Sequence, residues 1–154
     1  MAELSEDERN MPIGLYNFAD SYWQAATELG KLKLRSTHRD SPVSFLYFHA
    51  IELYLKAFLR LHGVTTEELR SRTYGHSAIK HSRKASTLGI TFDDEDMEVF
   101  SIMDTNAGIR TRYLQTGYYQ TASHESLHRT CKSLSNSVCL ALNKAGIPTR
   151  RPRY

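Results

Sequence analysis

VSFLYFHAIELYLKAFLRLHG, residues 43–63, is the stretch that decides the fold. Apolar side chains occupy almost every face of the helix that this stretch predicts. Such a helix must lie at the centre of a bundle, because neighbouring helices have to cover most of its surface. Its polar residues fall on a single stripe, at steps of three, four and four: His49, Glu52, Lys56 and Arg60.

Two interpretations of this polar stripe are open at the level of sequence. Glu52 and Lys56 stand four residues apart, so they can form a solvated ion pair that stabilises the helix by roughly a few tenths of a kcal/mol. Alternatively, the stripe faces a cleft or a second subunit, and its charges take part in binding. The burial of Glu52 distinguishes the two.

The rest of the chain also shows helical patterns, and no segment alternates strictly between apolar and polar residues. Ser41 is expected to be the N-cap of the central helix, with Pro42 as its first residue and Gly63 at its end. Thr65 and Glu68 have the spacing of a capping box. Helices are predicted over 13–34, 43–63, 77–88, 91–104 and 123–144, with a short turn or helix after Gly63.

The fold expected from these patterns is all-α: a four- to five-helix up-and-down bundle with short connections. A chain of 154 residues suits one domain. We assign residues 13–146 to the bundle, residues 1–12 to a flexible N-terminus and residues 147–154 to a basic C-terminal tail.

The charged residues are unevenly distributed along the chain. Lys and Arg number 20 and Asp and Glu 17, and the three arginines of the tail account for the net charge of +3. Within the neutral body, residues 70–84 form a basic block and residues 93–98 an acidic block. The favoured interpretation is that these blocks pair as solvated faces, and the alternative is that the basic block binds phosphate.

The cellular compartment is inferred from cysteines and from hydropathy. Cys131 and Cys139 are about 12 Å apart along one predicted helix, which is too far for a disulfide. The sequence shows no signal peptide and no apolar run of about eighteen residues. We therefore expect a cytoplasmic protein that makes no membrane contact.

Residues 124–128, HESLH, match the zinc-protease pattern H-E-x-x-H. On a helix, His124 and His128 share one face, with Glu125 beside them as a base. A catalytic zinc needs a third protein ligand, and no His, Asp or Glu follows Arg129 in the chain. A small zinc hydrolase is therefore only the third functional hypothesis, and we expect no metal and no other cofactor.

Three stretches together resemble the HEPN (higher eukaryotes and prokaryotes nucleotide-binding) domain superfamily, in its bacterial single-domain form. AIELYLKA, residues 50–57, is similar to the A-x-E-x-x-L-K-A-like pattern of its second helix. Gly75 and His76 are similar to its G-H-x-L-like helix start. Arg112 and Tyr113 stand where many members carry an R-Y-P-D-like turn, although Pro and Asp do not follow here.

The resemblance implies a helical bundle that is usually a symmetric dimer. Members divide among metal-independent endoribonucleases, toxins paired with an antitoxin protein, and silent nucleotide- or RNA-binding modules. Catalytic members carry R-x(4–6)-H near the start of the last helix, whereas eleven residues separate Arg112 from His124 here. The first hypothesis is therefore an RNA- or nucleotide-binding module, within a toxin–antitoxin or defence-type system. The alternative is an endoribonuclease that uses Arg and His across a dimer groove.

The candidate site residues follow from what metal-free RNA cleavage requires. A histidine can activate the 2′-hydroxyl, and an arginine can stabilise the charge that develops on the phosphate. The candidate catalytic residues form two clusters: Arg70 and His76 with Arg72 beside them, and Arg112 and His124 with Arg110 beside them. A structural alternative makes His76 a cap for backbone groups at its helix start. The candidate ligand-binding residues are Glu52, Lys56, Arg72, Arg110 and Tyr113, the last of which would stack on a base.

Overall fold

The computed structural model describes residues 2–105, 111, 113–114 and 120–153. These ranges contain helices and connecting turns, with no strand. The prediction of an all-α bundle is therefore confirmed for the described residues, while its HEPN-like character stays a prediction. The helices are α1 (Glu6–Arg9), α2 (Pro12–Gly30), α3 (Asp40–Leu61), α4 (Thr66–Arg70), α5 (Ala78–Thr87), α6 (Asp94–Asp104) and α7 (His124–Lys144).

The central helix is α3, as its apolar sequence predicted. It packs against α2, α5 and α7, and α7 also contacts α2 and α6. Ile51, Tyr54 and Leu55 of α3 are completely buried. They belong to one hydrophobic core with Trp23 of α2 and Leu134 of α7. None of the helices within the described ranges is long and apolar enough to cross a membrane.

The predicted start of α3 is wrong. The helix begins at Asp40, and its N-cap is Arg39, whose side chain makes no capping hydrogen bond. The Ser41 N–H donates to the carbonyl oxygen of His38 over 3.3 Å, so Ser41 already lies inside a helical turn. Because Ser41 follows the first residue of the helix, its hydroxyl is not in the N-cap position, from which a side chain accepts hydrogen bonds from the first N–H groups.

The predicted capping box and the predicted glycine at the end of α3 are confirmed. Thr65 and Glu68 form the capping box of α4. Ser77 and Ser123 cap α5 and α7, each accepting a hydrogen bond from a backbone N–H three residues later. Gly63 follows the end of α3 with a φ of 88°, in the left-handed region that glycine adopts without strain.

Both chain ends make contacts with the bundle. Arg60 donates from Nη2 to the carbonyl oxygen of Asp7 over 3.1 Å, which attaches α1 to α3. At the other end, the Tyr16 hydroxyl donates to the carbonyl oxygen of Arg150 over 3.2 Å, and the N–H of Thr149 donates to Asn143 Oδ1 over 3.1 Å. Parts of the segments expected to be a flexible N-terminus and a tail therefore lie against the helices.

Candidate functional site

A cleft of about 520 Å³ lies beside α3, where the loop between α4 and α5 meets the end of α6. Its volume is in the range typical of small-ligand sites, roughly 300–1,000 Å³. Charged and aromatic side chains from separate parts of the chain line it. Those on which its chemistry depends are Phe45, Glu52, Arg72, His76, Lys80 and Tyr113.

Glu52 is the buried acid of this cleft, with 8% of the residue exposed. Its Oε1 accepts a hydrogen bond from Lys56 Nζ over 2.6 Å and another from His76 Nδ1 over 3.0 Å. The side chains of Glu52 and Lys56 are 10% and 21% exposed, so theirs is not a solvated surface pair. At Glu52, the polar stripe of α3 faces a cleft.

The electrostatics around Glu52 favour its charged form. Burial raises the pKa of this carboxyl, but the positive charge and the hydrogen bond of Lys56 lower it, and the contact with His76 lowers it further. The net result is a pKa below the usual value for glutamate. Glu52 is therefore a carboxylate at neutral pH, held between two nitrogen donors.

The remaining members of the polar stripe lie elsewhere. The His49 ring packs among aromatic rings, with its centroid 4.4 Å from that of Tyr22 and 6.0 Å from that of Phe45. Arg60 reaches α1 and also donates to the carbonyl oxygen of Val64 over 2.9 Å. The residues of the stripe therefore have three different environments: His49 lies in an aromatic cluster, Glu52 lies at the cleft, and Arg60 attaches the N-terminal helix α1.

His76 lines the cleft with a side chain that is 77% exposed. Its Nδ1 contacts Glu52, and its Nε2 has no hydrogen bond to any of the described residues. A carboxylate on Nδ1 favours the proton there and leaves Nε2 as an acceptor. Ser77, not His76, caps α5. The geometry suits a proton acceptor at Nε2 more than a backbone cap.

Asp104 closes one end of the cleft. Its carboxylate accepts hydrogen bonds from the backbone N–H groups of Ala78 and Ile79, at 2.6 and 3.1 Å, and from the Ser77 hydroxyl. A negative charge at a helix N-terminus is stabilising, because the first N–H groups have no partner inside the helix. Asp104 therefore attaches the end of α6 to the start of α5.

The basic block separates into two groups. Arg72 and Lys80 line the cleft, and the Lys80 Nζ donates to the carbonyl oxygen of Arg72 over 3.3 Å. Arg70, two residues earlier, binds both carboxylate oxygens of Glu6 over 2.6 Å at the surface and is not among the residues that line the cleft. The structure therefore brings Arg72, rather than Arg70, to His76.

The acidic block does not pair with the basic block, so that interpretation is wrong. Arg129 of α7 lies 3.0 Å from Asp93, 2.9 Å from Glu95 and 3.2 Å from Asp96. The Thr130 hydroxyl also donates to Asp96 over 2.9 Å. These contacts join the start of α6 to α7. The acids that make them do not pair with the cations at the cleft.

His124 lies in a second cleft of about 410 Å³ that adjoins the first, since both are lined by Phe48 and Thr111. Its Nε2 is 3.5 Å from the Ser44 hydroxyl. His128 instead accepts a hydrogen bond at Nδ1 from Trp23 Nε1 over 3.1 Å, and burial lowers its pKa. Among the described residues, no three His, Cys, Asp or Glu side chains form a group that could hold a metal ion.

The remaining candidates depend on the segment before α7. Tyr113 lines the first cleft, and 68% of it is exposed. Arg110 and Arg112 lie outside the described residues, so their predicted roles stay predictions. Sequence reasoning missed Phe45, Tyr74 and Asp104 as site residues, and it included Lys80 only as part of the basic block. The alternative interpretation of that block, phosphate binding, was the signal for Lys80.

No known protein family matches this chain, and no curated protein or solved structure shows significant similarity to it. The chemistry of the cleft therefore rests on its own residues.

Proposed function

We propose that this chain is a HEPN-like module whose cleft binds a nucleotide, either free or as part of RNA. One observation carries the proposal: two cations, Arg72 and Lys80, and four aromatic side chains line the same cleft around the Glu52–His76 pair. A nucleotide has an anionic phosphate and a flat base, and these are the two groups that such a lining recognises.

The phosphate would bind to Arg72 and Lys80. Neither forms an ion pair with an acid in the ranges that the structure describes, although Arg60, Arg70 and Arg129 all do. Both are exposed and line the cleft. An unpaired cation in a concave site attracts anionic ligands, since the low-dielectric walls focus its field.

The base would stack on an aromatic side chain. Phe45 and Tyr113 line the cleft, and Tyr113 is largely exposed. Stacking of one base on an aromatic ring contributes roughly 1–3 kcal/mol and is available to every base. The cleft thus offers affinity for nucleotides without a strict sequence requirement.

A binding experiment with two matched double variants tests this function. The probe is a fluorescein-labelled single-stranded RNA, titrated at several salt concentrations. We expect weak binding that falls steeply with salt, because phosphate contacts release counterions. The Arg72→Ala, Lys80→Ala variant should lose most of the affinity and have a smaller salt dependence. The control, Arg83→Ala, Lys84→Ala, removes equal charge from exposed positions of α5 that do not line the cleft. Equal losses in both variants would contradict the proposal.

Metal-independent RNA cleavage is the second candidate function. The observation that favours it is the contact of His76 with Glu52 in the same cleft as Arg72. His76 Nε2 would accept the proton of a 2′-hydroxyl, and Arg72 would stabilise the phosphate charge. We expect any cleavage to persist with chelator and to disappear in His76→Ala, while RNA affinity changes little. His38→Ala is the control, because His38 is exposed and outside the cleft. Cleavage that survives His76→Ala would exclude this mechanism.

The proposal also covers the oligomeric state, the partner protein and the cellular location of the module. The homodimer, the antitoxin partner and the cytoplasmic location follow from the resemblance to HEPN proteins and from the two cysteines, which are free and buried. Phe18 on α2 and Leu140 on α7 are apolar, and each is 50% exposed. A second copy of the chain could cover this apolar surface.

A further inference from the structure

His81 lies on α5 next to Lys80, and none of its surface is exposed. Neither of its ring nitrogens has a hydrogen-bond partner in the part of the chain that the structure describes. Buried polar groups in native proteins nearly always have a partner, because a missing one costs folding free energy. A leucine would fill this position without that cost. His81 therefore points to a role other than packing.

Tyr74 connects His81 with the cleft. Its ring stacks on the imidazole, with centroids 5.7 Å apart and planes at 3° to each other, and the same side chain lines the cleft. The Tyr74 hydroxyl makes no hydrogen bond to a described residue. Among the described residues, packing holds the ring there, in a loop where Gly75 follows with a φ of 51°.

Burial keeps the His81 ring neutral. Burial, followed by the positive charge of Lys56, lowers the pKa of His81 to about 4, and the opposite effects of Glu52 and Asp104 are smaller. A neutral imidazole offers one N–H donor and one acceptor nitrogen. The two nitrogens point away from each other, so the uncharged edge of a nucleobase can form a hydrogen bond with one of them, whereas a phosphate matches the exposed cations Arg72 and Lys80.

We propose that His81 is the base-recognition residue of the cleft. When a nucleotide binds, the Tyr74 ring turns away from His81, and the edge of the base forms a hydrogen bond with one nitrogen of the imidazole. This inference rests on the proposed function, and it predicts how the bound nucleotide is oriented in the cleft. Its base lies inside the cleft at His81, and its phosphate lies outside at Arg72 and Lys80.

Calorimetric titration of the full chain tests this role. The probes are the four ribonucleoside 5′-monophosphates and ribose 5-phosphate, which lacks a base. We expect wild type to bind at least one nucleotide more than about tenfold more tightly than ribose 5-phosphate, because stacking and one hydrogen bond with His81 both act on the base. His81→Leu should lower this ratio about fivefold, the share of one hydrogen bond, while the share of stacking remains, and it should raise the unfolding temperature of the free protein. His81→Gln keeps a donor and an acceptor and should retain most of the ratio. Lys80→Ala is the control, and it should weaken both probes by the same factor.

The NMR resonances of the His81 ring give a second measurement, which uses the wild-type protein and therefore does not depend on how a variant folds. We expect the nucleotide to shift them and ribose 5-phosphate to leave them in place. If wild type binds none of the probes, the proposed function fails and this inference fails with it. If wild type binds nucleotides while the His81 resonances do not move, or while His81→Leu folds and keeps the ratio, only the role of His81 is overturned.

Discussion

At the scale of single residues, Glu52 organises the site, because one carboxylate oxygen contacts both Lys56 and His76. Another local Lys–Glu pair joins Glu28 of α2 to Lys31, the residue that follows the end of this helix, and their side chains are 61% and 64% exposed. The corresponding values for Glu52 and Lys56 are 10% and 21%. Water and salt screen the first pair much more than the second, so the two pairs should differ in energy.

Replacing each acid by its amide measures this difference. Glu52→Gln leaves Lys56 without a countercharge in a poorly hydrated site, so we expect the free energy of unfolding at pH 7 to fall by about 3 kcal/mol. Glu28→Gln should change it by less than about 0.5 kcal/mol. Urea denaturation of both variants gives the two values. Similar losses would show that the Glu52–Lys56 pair is no more than an ordinary helix contact.

The same variant has a defined dependence on pH. Burial raises the pKa of Glu52, but Lys56 and His76 together lower it below the ordinary value of 4.5. A carboxyl whose folded pKa is lowered stabilises the fold above its unfolded pKa, and this contribution is lost as the pH falls through the folded pKa. The difference between wild type and Glu52→Gln should therefore shrink when the pH is lowered from neutral to below 4.5.

Asp20 shows the opposite behaviour. Burial raises its pKa to about 6, although the hydrogen bond from the Tyr54 hydroxyl works against this. Because the folded pKa exceeds the ordinary 3.8, its ionisation destabilises the fold increasingly between these two pH values, and the full cost is present above them. We expect Asp20→Asn to raise the free energy of unfolding by about 2 kcal/mol at high pH and by little near pH 4. An equal gain at both pH values would mean that charge is not the cause.

At the scale of elements, the sequence is most informative where a signal is local. The apolar stretch 43–63 identifies the central helix, because burial on all sides leaves only one polar stripe. The capping box of α4 is equally local, since Thr65 and Glu68 contact each other. The start of α3 could not be predicted in this way. It depends on a backbone hydrogen bond from Ser41 to His38, and no side-chain pattern in the sequence indicates that bond.

The attachment of α1 to α3 leads to a prediction about one arginine. Arg60 donates to the carbonyl oxygens of Asp7, Asn10 and Val64, and its side chain is 11% exposed. A lysine has the same charge but cannot make this planar set of contacts. In Arg60→Lys we expect faster amide hydrogen exchange over residues 6–10, with exchange in α3 unchanged. Arg70→Lys is the control, because the Arg70–Glu6 pair is exposed. Identical exchange in both variants would mean that Arg60 does not hold α1.

The cleft is the part that the sequence does not predict in full. Glu52 was a candidate through the polar stripe and His76 through the resemblance, but their 3.0 Å contact depends on how the loop after α4 packs on α3. Arg70 and Arg72 look equivalent in the sequence. Because α4 ends at Arg70, this residue contacts Glu6 beside α4, whereas Arg72 lies in the loop and lines the cleft. Tyr74 and Asp104 become site residues only through tertiary packing.

At the scale of the whole molecule, the proposed homodimer is the first feature to test. Leu140 is 50% exposed on α7, the helix that we expect to contribute to the interface. Light scattering of wild type at micromolar concentrations should give twice the 17.7 kDa chain mass. Leu140→Glu should give a monomer, because a charge placed in an apolar interface must be desolvated. Leu32→Glu is the control, at a residue that is 62% exposed in the connection after α2. A monomeric wild type would contradict the proposal.

The central claim is that the ligand of this protein binds in the cleft between α3, the loop after α4 and the end of α6. Its most direct test is a map of backbone amide chemical shifts during titration with a short single-stranded RNA. We expect the largest changes at Glu52, at residues 74–77 and at Lys80, with saturation at one common affinity. Changes confined to the arginines of the C-terminal tail, or spread over all exposed cations with no saturation, would contradict the claim.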